Sequence, residues 1–270
     1  MHFYLNARMY SVSEPTRRAW EKLFNWVIRQ ARVPSAEWLA HEPPLLISEM
    51  WKRNDLGCAM MCGLPAARRQ PAPILLASVI PSLARYQSQS IYMSDLVVRR
   101  DSPYEKLEDT YGGIAGYTVP DSQSGYFAFR YRLLNDQRRI GRLYRSAVGG
   151  LLNARGIIAA LQRGEIDVGP LDGYVFDLIK ATEPEFARDV RIIETTPPTP
   201  LPPIVSTAPL DVDQVSRLRD AFLAAGGSPD LREERRTLLI QSFALPDLSQ
   251  FKPLAAQASE IEAAAPPWPI

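Results

Sequence analysis

A chain of 270 residues, 46% hydrophobic and 23% charged, has enough apolar surface for one large or two moderate domains with a substantial core. Lys and Arg total 31 against 30 Asp and Glu; the net charge of +1 supplies no broad field for nucleic acid or an anionic membrane and points to a small ligand or a protein partner. The longest apolar runs, such as Pro73 to Ile80, fall far short of the ~20 residues that cross a bilayer, so no membrane insertion is expected.

The amino terminus, MHFYLNARMYSVSEPTRRAW, lacks a basic region followed by an apolar stretch and a small-residue cleavage site. The chain as given is therefore expected in the cytoplasm, or in the periplasm if a leader has been trimmed. His2 to Met9 alternates as a first strand, and Ser13, Glu14 and Pro15 signal a helix start. Trp20, Leu23, Phe24, Val27, Ile28 and Ala31 then recur at helical spacing, which predicts a helix docked by one face with its aromatic stripe in the core.

Pro43-Pro44 breaks the chain, Leu45 to Arg53 reads as a second helix or turn, and Asp55 to Gly63 is an apolar run suited to a buried strand of a largely parallel sheet. Cys58 and Cys62, the two cysteines, lie in this run; on a strand they stand roughly 13 Å apart, too far for a disulfide, and are expected to be buried free thiols. Pro73 to Ile80 is another strand, and apolar strands alternating with helices indicate an α/β domain.

At Tyr86 to Tyr92 the composition turns to Gln, Ser and Tyr before the alternating strand Ile91 to Arg100, and a first crossing between domains is placed here. Pro103 to Asp109 is a short helix. Gly112 to Tyr131, GGIAGYTVPDSQSGYFAFRY, then reads as a strand feeding a helix from about Gly125 to Asn135. The first N–H groups of a helix have no partner within it and carry the positive end of the dipole, so a start at Ser122, Ser124 and Gly125 either holds an anion or is simply capped. Leu151 to Arg163 is a helix stopped by Gly164, Ile166 to Leu171 a strand, Tyr174 to Ala181 a helix and Val190 to Glu194 a strand. Thr195 to Pro203, TTPPTPLPP, is a stiff connector and the second crossing. Ile204 to Thr207 returns as a strand, Val212 to Ala225 and Leu231 to Phe243 are helices, and past Lys252 an Ala- and Pro-rich tail wraps the surface or frays. Two crossings make residues 1–87 with 203–270 a discontinuous first lobe and 88–202 an inserted second lobe, with a hinged cleft between them.

Catalytic chemistry is sparse. With His2 and His41 the two histidines, a Ser-His or Cys-His nucleophile and a His-rich metal site are not expected, and neither a phosphate loop nor a dinucleotide fingerprint occurs. Asp172 ends an apolar strand in Leu171-Asp172-Gly173, where it either faces a ligand crevice or caps the helix from Tyr174. No catalytic residue, cofactor or metal is assigned.

The ordered set DLGCAMMCGLP (Asp55 to Pro65), Arg85-Tyr86, IYMSDLVVRRDSP (Ile91 to Pro103), PDSQSGY (Pro120 to Tyr126), GEIDVGPLD (Gly164 to Asp172) and Pro198 to Val205 resembles the phosphonate-binding members of the type 2 periplasmic binding protein superfamily, over most of the chain from about Tyr10 to Phe243. The resemblance implies the α/β, type 2 periplasmic-binding-protein fold, two lobes joined by two hinge strands around a ligand cleft. It implies a pocket lined by Tyr92 and Ser94, by Ser122, Ser124, Gly125 and Tyr126 at the helix start, and by Asp172, with Tyr10, Cys62 and Gly63 from the first lobe. One departure is visible: the family's His at the helix beginning near Asn153-Ala154 is missing, which widens the expected ligands from phosphonates to other oxyanions and carboxylates. The expected function is that of a non-catalytic solute-binding protein, a monomer or weak dimer, trapping a small anion and passing it to an ABC permease. The alternative is a cytoplasmic enzyme or ligand sensor on the same fold, like those of menaquinone or thiamine-precursor synthesis.

Overall fold

The computed structural model describes residues 3–33 and 36–264. The chain divides into two compact units, Met1–Ile91 with Pro200–Phe251, and Tyr92–Thr199 with Lys252–Ile270. His2, where the sequence reading began its first strand, and the end of the tail lie outside the described residues.

The first unit opens with β1 (Phe3–Asn6), a 3-10 turn (Arg8–Tyr10) and α1 (Glu14–Gln30). Ser13 caps α1 in a reciprocal box: Thr16 N–H donates to Ser13 Oγ while Thr16 Oγ1 accepts from Ser13 N–H at 2.9 Å. The helical spacing read from the sequence is the buried face: Trp20, Leu23, Phe24 and Val27 are fully buried. Then follow β2 (Ala36–Trp38), α2 (Ile47–Trp51), β3 (Leu56–Met60), α3 (Gly63–Arg68) and β4 (Ile74–Pro81). All five residues of β3 are buried, as a strand covered on both faces requires.

The second unit holds β6 (Ser94–Arg99), reached through β5 (Ile91–Tyr92), then β7 (Ile114–Gly116), a wide helical turn (Gln123–Phe127) and α4 (Ala128–Ile140). After β8 (Ser146–Val148) come α5 (Ala154–Gln162), β9 (Gly169–Asp172), α6 (Gly173–Thr182), α7 (Pro184–Ala187), β10 (Val190–Thr195) and β11 (Thr199–Pro200). A three-stranded antiparallel sheet, β10-β6-β9, and a parallel pair, β7-β8, enclose a core that includes Leu96, Val98, Ala115, Phe129, Leu133, Tyr144 and Val168.

The chain returns to the first unit through β12 (Ile204–Ser206), α8 (Val212–Ala225), α9 (Arg232–Thr237) and β13 (Ile240–Ala244). The sheet order there is β13-β4-β12-β3-β1-β2. Around β1 the pairing is parallel, but β12 runs antiparallel to both β3 and β4, and β13 antiparallel to β4. The expected largely parallel sheet is thus mixed, because the returning segment inserts between two strands laid down early. Phe24, Phe222 and Phe243 pack ring to ring beneath it, at 5.8 and 5.6 Å between centroids.

Two further expectations are corrected. Leu231 to Phe243 is not one helix: α9 ends at Thr237, Leu239 takes a left-handed φ of 52°, and the chain turns into β13. As far as Ala264, the tail past Lys252 is not a frayed wrap. It forms α10 (Lys252–Ala264), which buries Leu254, Ala258 and Ile261, packs on α4 and joins it through Arg138 and Glu260 at 3.0 Å. It therefore counts with the second unit, where the sequence reading had placed it in the first lobe. Among the described residues no helix is long and apolar enough to cross a membrane.

Candidate ligand-binding site

In the second unit the chain leaves β7 and folds back through Pro120 and Asp121, with Ser122 N–H donating to the Val119 carbonyl at 3.1 Å. Ser122 is extended, and its Oγ accepts the Gly125 N–H at 2.9 Å, so the N-cap expected from the sequence is present. Phe127 N–H reaches the Ser122 carbonyl at 3.1 Å, five residues back, which widens the first turn into a π-turn before α4 continues. Single π-turns of this kind are frequent at functional sites. Gln123 and Ser124 sit at the positive end of the helix and are 1% and 6% exposed.

The preceding segment is tied to this turn by Thr118 N–H, which donates to the Gly125 carbonyl at 3.1 Å. A Cβ on Gly125 would fall 1.9 Å from Thr118 Oγ1 and 2.9 Å from Ser122 Oγ, so two hydroxyls converge where any other residue would carry its side chain. Tyr117 packs edge-on against Tyr126, with centroids 5.1 Å apart, and its ring lies against Gly149, where a Cβ would come within 2.2 Å. One turn along α4 the buried Arg130 donates from Nη1 to Tyr126 Oη at 2.9 Å, with its guanidinium 5.3 Å from that ring. The fold thus places a buried cation behind the helix start.

Ser94 on β6 pairs in antiparallel register with Asp172 on β9. Asp172 Oδ1 accepts the Val175 N–H at 3.0 Å, so the capping alternative left open by the sequence is realised, with the side chain 9% exposed. Gly173 N–H donates to the Met93 carbonyl at 2.8 Å, and Ser94 N–H to Thr196 Oγ1 at 3.0 Å, which fixes both strand ends. Next to Asp172 the Tyr174 hydroxyl is pushed far above the usual phenol range by burial and by the neighbouring Asp172 and Asp177 carboxylates. Tyr92 is 1% exposed. Strand β9 packs directly on the Gln123–Phe127 turn, so the Ser94 and Asp172 pair and the helix start are neighbours within one unit.

In the first unit Tyr10 ends the 3-10 turn with a fully buried ring, and its carbonyl accepts Trp20 Nε1–H at 3.3 Å. Cys62 is the residue before α3 and Gly63 its first residue, both buried; the adjacent Met61 N–H donates to the Pro203 carbonyl at 3.0 Å. Cys58 and Cys62 are free thiols, and burial pushes the Cys58 thiol well above its ordinary range.

Sequence reasoning missed Tyr117, Thr118, Gln123 and Arg130. The available signal was Gly149-Gly150, whose small first residue accommodates the Tyr117 ring. Where the family pattern has His, Asn153 caps α5, its Oδ1 accepting from Gly156 N–H at 3.1 Å.

The family model for the periplasmic substrate-binding protein of phosphonate ABC transporters matches residues 47–253. Among solved structures, the chain is similar to a binding protein component of an ABC phosphonate transporter from Pseudomonas aeruginosa, at 18% identity and a TM-score of 0.80, over 97% of this chain and 88% of that one. It is similar to PhnD1 from Prochlorococcus marinus in complex with methylphosphonate, at 14% identity and a TM-score of 0.79, over 96% and 98%. It is also similar to XAC2383 from Xanthomonas citri bound to ATP, at 20% identity and a TM-score of 0.70, over 98% and 99%. No curated protein matches. At these identities the solved structures establish the fold, the type 2 periplasmic-binding-protein architecture, while the family model spans well over half of the sequence. The chain belongs to the phosphonate-binding family of periplasmic substrate-binding proteins of ABC transporters.

Proposed function

We propose that this solute-binding protein takes a small oxyanion at the start of the α4 helix and delivers it to an ABC permease. The observation that carries the reading is the turn Gln123–Phe127: a positive helix end, capped by Ser122, with Ser124 buried at its opening and the Arg130 guanidinium one turn behind. Hydroxyls and backbone N–H groups in a dry setting hold an anion by charge-assisted hydrogen bonds without a formal ion pair. Ser122 and Ser124 are its anchors, with Gly125, whose N–H is engaged by Ser122 Oγ, shaping the turn beside them; Tyr92 and Tyr126 are its aromatic walls, and Ser94 and Asp172 the polar groups beside it. Asp172, as a carboxylate, suits a ligand with a donor group away from the anion. The structures of PhnD1 with methylphosphonate and of XAC2383 with ATP both hold phosphorus oxyanions, which supports the class. A phosphonate, a phosphate ester and a carboxylate all fit this description, and no turnover is part of the reading.

A thermal-shift series with methylphosphonate, inorganic phosphate, methanesulfonate and small carboxylates tests it. Ligand at a hundred times Kd stabilises by about 2.7 kcal/mol, a rise of about 5 °C or more for a protein of this size. A melting temperature that does not move with any of these anions at millimolar concentration overturns the reading.

A further inference from the structure

Strand β10 is the outer strand of the antiparallel sheet in the second unit. Together with α6, α7 and Arg100, the residue after β6, it lines a cavity of about 420 Å³. Phe176 and Ile192 form part of an apolar wall, and the Ile192 side chain is 38% exposed. Four cations line the same cavity: Arg100, Lys180, Arg188 and Arg191. Lys180 pairs with Asp177 at 2.6 Å and lies 4.8 Å from the centre of the Phe176 ring, and Arg188 pairs with Glu185. The other two have backbone partners instead. Arg100 donates from Nε to the Arg188 carbonyl and from Nη2 to the Val190 carbonyl at 3.2 Å. Arg191 donates from Nε to the Arg100 carbonyl at 3.3 Å, and from Nη2 to the carbonyls of Ser102, at 3.1 Å, and Tyr104. Among the described residues no carboxylate pairs with either guanidinium, and Nη1 of each takes no part in these bonds. Backbone carbonyls thus hold two uncompensated positive charges in place beside an apolar wall.

We propose that this cavity is a second binding site, for a small amphiphilic anion: a carboxylate, sulfonate or phosphate monoester on a short aromatic or alkyl body. Its volume lies in the range of small-molecule pockets, ~300–1,000 Å³, whereas a stable protein partner needs a far broader surface. The anionic head takes the free Nη1 groups of Arg100 and Arg191, since guanidinium donors match the oxygens of such heads. The apolar body covers Ile192 and Phe176, where water now meets hydrocarbon. Both halves of the ligand are therefore recognised, by different residues. The cavity shares no residue with the anion site at the start of α4 and does not depend on it.

The test is fluorescence titration of the full chain with anilinonaphthalene sulfonate, an aromatic sulfonate, beside its uncharged counterpart phenylnaphthylamine. The sulfonate is expected to saturate one site per chain, undisturbed by saturating methylphosphonate, and the uncharged compound to bind at least about tenfold more weakly. The double variant Arg100→Gln, Arg191→Gln weakens the sulfonate by at least about tenfold. Because these arginines also hold backbone carbonyls, a second variant guards against loss of the fold. Ile192→Glu changes an exposed side chain, so it keeps the melting temperature, while its carboxylate removes the apolar contact and competes for the guanidinium groups. It too weakens the sulfonate by at least about tenfold. Basic residues that only keep an outer strand from pairing with another chain would bind no ligand. Binding that fails to saturate, equal binding of the uncharged compound, displacement by methylphosphonate, or full binding in Ile192→Glu overturns the inference. If the sulfonate binds as described and methylphosphonate does not bind at all, this cavity stands and the anion site at the start of α4 falls.

Discussion

Ser122 Oγ accepts the N–H of Gly125 at 2.9 Å, and the Gly125 carbonyl in turn accepts the N–H of Thr118 at 3.1 Å. Gly125 is thereby held from both ends, and its missing side chain leaves room for two hydroxyls. The helix start that the sequence marks with Ser-Gln-Ser-Gly is a positioned constellation in the fold.

Replacing Gly125 by Ala puts a methyl group 1.9 Å from Thr118 Oγ1. Relief requires moving the turn or the segment around Thr118, at about 1–3 kcal/mol. Chemical denaturation of Gly125→Ala should show that loss, and titration with methylphosphonate should show binding weakened by tenfold or more. Unchanged stability and binding would contradict this close approach.

Ser122→Ala removes one N-cap and nothing larger. The expected cost is about 1 kcal/mol, read as a shift of a few degrees in melting temperature. A Ser122→Asp substitution separates the two roles of this residue: an aspartate caps as well as a serine but repels an anion, so stability should return while binding stays weak.

Asp136 accepts from Tyr111 Oη at 2.7 Å and from Arg132 Nη1 at 2.9 Å, and these hydrogen bonds, Tyr111 first, hold its carboxyl down at about 2. A carboxylate lowered in the folded state contributes stability that is full above its ordinary pKa and is lost as pH falls from about 4 toward 2. Asp136→Asn should therefore lower stability at pH 7 by about 1–2 kcal/mol and flatten the acid limb of the stability curve over that window. Denaturation midpoints between pH 7 and pH 2 for both proteins check it, and parallel curves would contradict it.

The tail was the least legible part of the sequence. Its Ala-rich composition gives a weak apolar stripe, and the residues that decide its fate, Leu254, Ala258 and Ile261, are buried by packing on α4 far away in the chain. Ile261→Ala should cost about 2–4 kcal/mol, and amides of α10 should exchange slowly with solvent. Fast exchange along the whole helix would restore the frayed tail that the sequence suggests.

Local chemistry made other elements readable. Ser13, Glu14 and Pro15 mark the start of α1, and Gly164 the stop after α5, because caps and stops act within a few residues. The buried run of β3 was equally plain. What sequence could not supply was pairing at a distance: β12 entering antiparallel between β3 and β4, or Leu239 turning the chain out of α9 into β13. The same division runs through the site. Ser122, Ser124, Gly125 and Asp172 carry local signatures of helix starts, while Tyr117, Thr118 and Arg130 gain their places through packing, through Gly149 and through the ring of Tyr126.

The most direct test of the account is isothermal titration of methylphosphonate into the wild-type protein and Ser124→Ala. The account predicts one site per chain in the wild type and binding at least tenfold weaker in the variant, with the melting temperature of the ligand-free protein changed little. Equal affinity in the two proteins, or no heat from methylphosphonate, phosphate or a small carboxylate, would contradict it.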